Sequence, residues 1–132
     1  MRAVDTNVLV RLLVRDDPAQ ARAADEFVSA GAWISHVVLV ETVWVLSAVY
    51  DLTPAQCATA VARLLEHDAL AVQDGDVVQR ALERFGKRKS LGFSDCLVVE
   101  IAAKAGHLPV GTFDRALGKV PGATWIRGRR AR

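Results

Sequence analysis

Four carboxylates stand where apolar stretches meet turns. Asp5 follows Ala3-Val4, Glu41 lies inside an apolar run over residues 37–46, Asp95 follows Phe93-Ser94, and Asp114 follows Thr112-Phe113. Taken singly, three of them read equally well as structural residues. Asp5 fits an Asx-turn or a helix cap, Asp95 suits a helix N-terminus, and Asp114 suits the start of a short turn over residues 115–117. Glu41 is different. Val37-Val38-Leu39-Val40 precede it, Thr42-Val43-Trp44-Val45-Leu46 follow it, and no Lys or Arg lies within a turn on either side. A carboxylate in such surroundings is expected to have a partner, either a remote arginine or a cation. Two carboxylates about 5 Å apart repel by about 3 kcal/mol at an effective dielectric of about 20. Four brought together therefore call for a hard divalent ion. Mg²⁺ suits an all-oxygen ligand set, whereas zinc would want Cys or clustered His. Such an ion can orient and deprotonate water and can neutralise charge on a phosphodiester.

The elements that must carry these acids alternate along the chain. A short strand at Ala3-Val4 leads to Asp5 and a helix over residues 6–15. Asp17-Pro18 reads as cap and first residue of a second helix, stopped by Gly31. A strand over residues 32–34 and a helix over residues 36–50, capped by Ser35, follow. Thr53-Pro54 starts a helix that ends near His67. Residues 70–72 form a strand, residues 74–88 a helix, and residues 89–93 a loop. Ser94 is read as the cap of a helix over residues 95–105, which Gly106 ends. Strands at residues 108–112 and 123–126 complete the pattern. Alternation of this kind predicts an α/β fold with a central parallel sheet of about five short strands and helices on both faces. Right-handed crossovers put the strand C-termini on one edge, where ligand sites form. Because a helix leading into a parallel strand runs opposite to it, all four acids are expected at that edge.

The 132 residues predict one domain over residues 1–132, and 52% hydrophobic with 24% charged residues is ordinary globular composition. Charge interrupts every apolar run before membrane-spanning length. The residues Met1-Arg2-Ala3-Val4-Asp5 lack an apolar signal core, so the expected location is cytoplasmic with no membrane partner. Cys57 and Cys96 have no metal-binding spacing and are expected as free thiols acting as small hydrophobes. The apolar run with Trp44 reads first as core, and alternatively as a dimer face or a groove for a protein partner. Net charge is +2, yet residues 115–132 hold six Arg or Lys and no acid, leaving 11 basic against 15 acidic residues before them, a net of −4. A basic tail over residues 127–132 on an acidic body fits a polyanionic partner or a solubilising tail. Lys87, Arg88, Lys89, Arg115, Arg127, Arg129 and Arg130 are the candidates for contact with a nucleic acid backbone. The triplet Lys87-Arg88-Lys89 reads equally as a solvated loop.

In this order the motifs become recognisable. Val4-Asp5-Thr6-Asn7-Val8-Leu9 resembles the opening motif of PIN domains. Glu41 in an apolar helix, Phe93-Ser94-Asp95-Cys96-Leu97 and Thr112-Phe113-Asp114 match the family's later motifs, and the length is similar to that of VapC-type toxins. The resemblance implies a PIN-like three-layer sandwich and an endoribonuclease dependent on Mg²⁺ or Mn²⁺. It also implies an RNA substrate, a homodimer and a cognate antitoxin protein. It marks Asp5, Glu41, Asp95 and Asp114 as catalytic, with Asp5, Asp95 and Asp114 on the metal and Glu41 on the metal or the attacking water. Thr6, Asn7 and Thr112 are implied as supporting residues. Cys96 departs from the alanine common after the third acid, but it is compact. The alternatives are a PIN-like DNA nuclease, a non-catalytic metal-binding module, and a phospho-acceptor signalling domain using Asp74. A dehalogenase-like phosphatase is disfavoured because Asn7 stands where a second acid is needed.

Overall fold

The helices begin where side chains can take up free backbone N–H groups. Asp17 accepts from the Gln20 N–H at 3.1 Å ahead of Pro18, and Ser35 accepts from Val38 at 3.2 Å. Thr53 and Gln56 form a reciprocal capping box before a helix that starts with Pro54. In the computed structural model, which describes residues 1–88 and 90–128, the chain divides into two compact units, Met1–Gly75 and Asp76–Arg132.

The first unit runs β1 (Arg2–Ala3), α1 (Thr6–Val14), α2 (Pro18–Val28), β2 (Ala32–Ile34), α3 (His36–Ala48), α4 (Pro54–Glu66) and β3 (Leu70–Val72). Its three strands pair in parallel in the order β1-β2-β3. Along β2, Ala32 and Ile34 are buried while Trp33 faces outward, the two-residue alternation of a strand. Leu9, Ile34, Leu39, Leu46 and Leu64 contribute to its core. The loop after β3 fixes the start of α3. Gln73 accepts the His36 N–H through Oε1 at 2.9 Å, its carbonyl lies 2.7 Å from His36 Nε2, and its own N–H donates to the Ile34 carbonyl at 2.8 Å. Arg15, in a left-handed conformation at the end of α1, forms a bidentate pair with Asp25 of α2 at 2.7 and 3.0 Å.

The second unit contains α5 (Gly75–Lys87), whose first residue belongs to the other unit, then α6 (Phe93–Ala105), β4 (Val110–Thr112), α7 (Arg115–Gly118) and β5 (Ala123–Trp125). Strands β4 and β5 pair in parallel as a separate two-stranded sheet, with Thr112 opposite Trp125. The expected parallel strands are therefore present, paired as three and two. Glu100, only 6% exposed, ties α6 to α5 by accepting from Arg84 Nε at 2.6 Å and Arg80 Nε at 3.3 Å. Two guanidiniums compensate this buried carboxylate, which is thereby a structural pair.

Helix α7 lies so close to β5 that a Cβ added at Gly118 would stand 2.6 Å from the Trp125 Cβ and 3.1 Å from its Cα. Gly118→Ala must push the helix off the strand. The expected cost is about 1–3 kcal/mol, by analogy with overpacked cores, measurable as a lower urea midpoint with an unchanged slope.

Cys57 and Cys96 are free and buried, as expected. Loss of hydration pushes both thiols above the ordinary range, and the neighbouring Asp95 charge adds to this at Cys96. Near neutral pH, both should resist a disulfide reagent in the native protein and react rapidly in denaturant. Rapid native labelling of either would contradict this packing.

Candidate active site

In the first unit, β1 is followed by Val4, whose N–H donates to the Trp33 carbonyl at 3.1 Å, and the chain then turns at Asp5. Asp5 has extended backbone and caps α1, accepting from the Thr6 N–H at 2.7 Å. The Thr6 hydroxyl donates to Glu41 Oε2 at 2.6 Å and so ties the start of α1 to the second turn of α3. One short polar link thus connects the residue after Asp5 to Glu41, and Asn7 continues as the next, exposed residue of α1.

Glu41 itself is exposed rather than sunk among apolar side chains. It shares a stripe of α3 with Val37, Trp44 and Ala48, and Val37 and Trp44 are 71% and 66% exposed. Residues four, seven and eleven positions from Val37 return to one helix face, which explains the grouping. The core reading of this helix holds for Leu39, Thr42 and Leu46 and fails for the opposite face. A helix apolar on all sides carries no periodic signal that tells which side points outward.

In the second unit, α6 starts two residues before the expected position. Gly92 is the N-cap, and Ser94 is the second helical residue. Asp95 occupies the third helical position and accepts from the Gly92 N–H at 3.3 Å. Glycine has no side chain to return the bond, so only half of a capping box forms. Asp114 caps the short α7 by accepting from Ala116 at 2.8 Å, and its own N–H donates to Thr112 Oγ1 at 3.0 Å.

Asp5, Glu41, Asp95 and Asp114 form no salt bridge among the described residues. This separates them from Glu100 and leaves carboxylate oxygens for another cation. Within neither unit, among the described residues, do three His, Cys, Asp or Glu side chains gather as a metal cage. Each unit instead supplies two of the candidate acids. The donor chemistry, carboxylates and hydroxyls without an accessible thiol, fits a hard divalent ion.

The candidate cationic residues divide between positions. Lys87 ends α5 and Arg88 follows it, both exposed, while Arg115 opens α7 and Arg127 follows β5. Lys89, Arg129 and Arg130 lie outside the described residues, as does most of the tail expected over residues 127–132. Trp125 is a residue that the sequence pattern does not single out. Its ring lies beneath Arg115, with the guanidinium carbon 4.9 Å from the ring centroid, and beneath Arg127 at 5.0 Å. A tryptophan closely followed by arginine is the one signal the sequence offers for it. No helix among the described residues is long and apolar enough to cross a membrane.

The sequence matches the family model of the PIN domain over residues 2–123, and the chain belongs to the PIN-domain family. The family has the α/β fold expected from the sequence, and membership assigns the chain to nuclease chemistry. The phospho-acceptor and phosphatase alternatives fall away with that assignment. Among solved structures, the chain is similar to VapC20 of Mycobacterium tuberculosis, a Sarcin-Ricin loop cleaving toxin. The two are 19% identical with a TM-score of 0.43, over 97% of this chain and 100% of that one. No curated protein matches the chain.

Proposed function

We propose that this chain is an endoribonuclease dependent on Mg²⁺ or Mn²⁺, the toxin of a type II toxin–antitoxin pair, with residues 1–132 acting as a single PIN domain. The observation that carries the reading is the family match over residues 2–123, which spans all four acids in the family's motif order. Asp5, Asp95 and Asp114 would hold the metal, and Glu41 would join them on the metal or accept a proton from the attacking water. When bound, the ion supplies charge neutralisation at phosphorus and lowers the pKa of water.

The protein's own residues do the positioning. Thr6 occupies one oxygen of Glu41 and fixes the direction of the other. Thr112 fixes the backbone from which Asp114 projects. Asp5 and Asp95 each have one oxygen engaged by a backbone N–H, which limits rotation of the carboxylate and leaves the second oxygen for a ligand. The expected setting is the cytoplasm, with RNA as substrate and with a homodimer and a cognate antitoxin as protein partners. The exposed Val37 and Trp44 on α3 support an apolar protein contact.

The test is cleavage of a mixed RNA pool and of total RNA from the host, with Mg²⁺ or Mn²⁺ against EDTA, using antitoxin-free protein. Cleavage abolished by EDTA supports the reading. Folded protein that leaves both substrates intact refutes it, and cleavage of single-stranded DNA at equal rates refutes the RNA assignment.

A further inference from the structure

Beside α7 and β5 lies a cavity of about 620 Å³ lined by Arg115, Gly118, Lys119, Trp125, Arg127 and Gly128. It falls in the range of about 300–1,000 Å³ usual for small-ligand sites. Its lining carries three cations and no acid, and none of the three forms a salt bridge among the described residues. The Trp125 indole is held rather than free, because Nε1 donates to the Phe113 carbonyl at 3.1 Å. The absence of a side chain at Gly118 lets the α7 backbone approach the root of that side chain. Both guanidiniums lie over the same ring system, so planar cations and a planar aromatic are arranged together.

We infer that this cavity binds one nucleotide of single-stranded RNA beside the scissile phosphate, a proposal that rests on the nuclease reading above. Arg115, Lys119 and Arg127 take the phosphate oxygens, and the base lies against the guanidinium and indole planes. Cations with stacking planes are the recurring composition of single-strand sites. An acidic polypeptide could use the charges but has no use for the planes. The connection to cleavage is short. Arg115 follows Asp114 directly, and Trp125 pairs across the sheet with Thr112, whose hydroxyl holds the Asp114 N–H.

The experiment measures fluorescence anisotropy of a short labelled single-stranded RNA on the full chain, in an Asp5→Asn background that prevents cleavage, across a salt series. Arg115→Gln with Arg127→Gln should weaken binding at least about tenfold, since one charge-assisted hydrogen bond is worth about that factor. The log–log salt slope should fall in magnitude by about 1.4, or about 0.7 for each phosphate no longer neutralised. Lys119→Gln, on an exposed residue, gives an independent change of about 0.7. Unchanged affinity and slope in both variants overturns the site. So does intact RNA binding accompanied by loss of polyglutamate binding, which would make the cavity a protein-docking surface. Pocket-dependent RNA binding by a chain that never cleaves RNA sinks the nuclease reading and leaves the nucleotide site standing, so the two failures are distinguishable.

Discussion

Asp5→Asn should leave a folded protein that cleaves RNA at least about a thousandfold more slowly. A metal ion contributes several kcal/mol of charge stabilisation to a transition state, and about 4 kcal/mol corresponds to a factor of about a thousand. On the proposed mechanism Asp5 has two duties that this substitution separates. As the α1 cap it accepts the Thr6 N–H at 2.7 Å, and asparagine caps as well as aspartate. As the proposed metal ligand it would supply charge, which asparagine lacks. The thermal midpoint should therefore stay near wild type while the single-turnover rate collapses. Asp5→Ala should lose the rate and also about 1 kcal/mol of stability, because the cap goes too. Wild-type cleavage by Asp5→Asn would remove this residue from the mechanism.

Glu41→Gln should lower cleavage by roughly a hundredfold and Thr6→Val by roughly tenfold, within the range of about 10–100-fold typical for residues supporting a metal site. The double variant is the sharper test. The Thr6 hydroxyl meets Glu41 Oε2 at 2.6 Å, so on this reading Thr6 acts by orienting Glu41. Once the carboxylate is gone, Thr6→Val should cost little more, and the double-mutant cycle should be strongly non-additive. Additive losses would make Thr6 a packing residue alone.

Much of the chain can be read from residue types. The helix starts at Asp17-Pro18, Ser35 and Thr53-Pro54 stand where the side-chain oxygens imply, and β3 occupies Leu70–Val72 as expected. These are local effects, set by a few neighbouring backbone groups. The start of α6 departs from expectation because its cap is Gly92, a residue with no side-chain oxygen to announce the role. Glu41 is expected among apolar neighbours because α3 is apolar around its whole circumference, so the outward-facing stripe of Val37 and Trp44 has no sequence signature. Strand partners are also illegible. Segments of two or three residues are too short for alternation to specify which edge meets which. The candidate acids are legible by order along the chain. The Thr6–Glu41 bond joins residues 35 apart and cannot be read from any local pattern.

The way Asp5, Asp95 and Asp114 sit at helix starts has an evolutionary corollary. Each carboxylate already satisfies a backbone N–H that an amide oxygen could satisfy as well. Aspartate and asparagine codons differ by a single G-to-A transition at the first base. On the proposed mechanism, one common mutation at each of these positions would separate an active enzyme from a folded protein that keeps its surfaces and loses its chemistry. Selection against a harmful nuclease would then have a short route to a silenced copy still able to occupy a partner. Inactivated relatives of this chain should be enriched in asparagine at these positions over substitutions that break the caps.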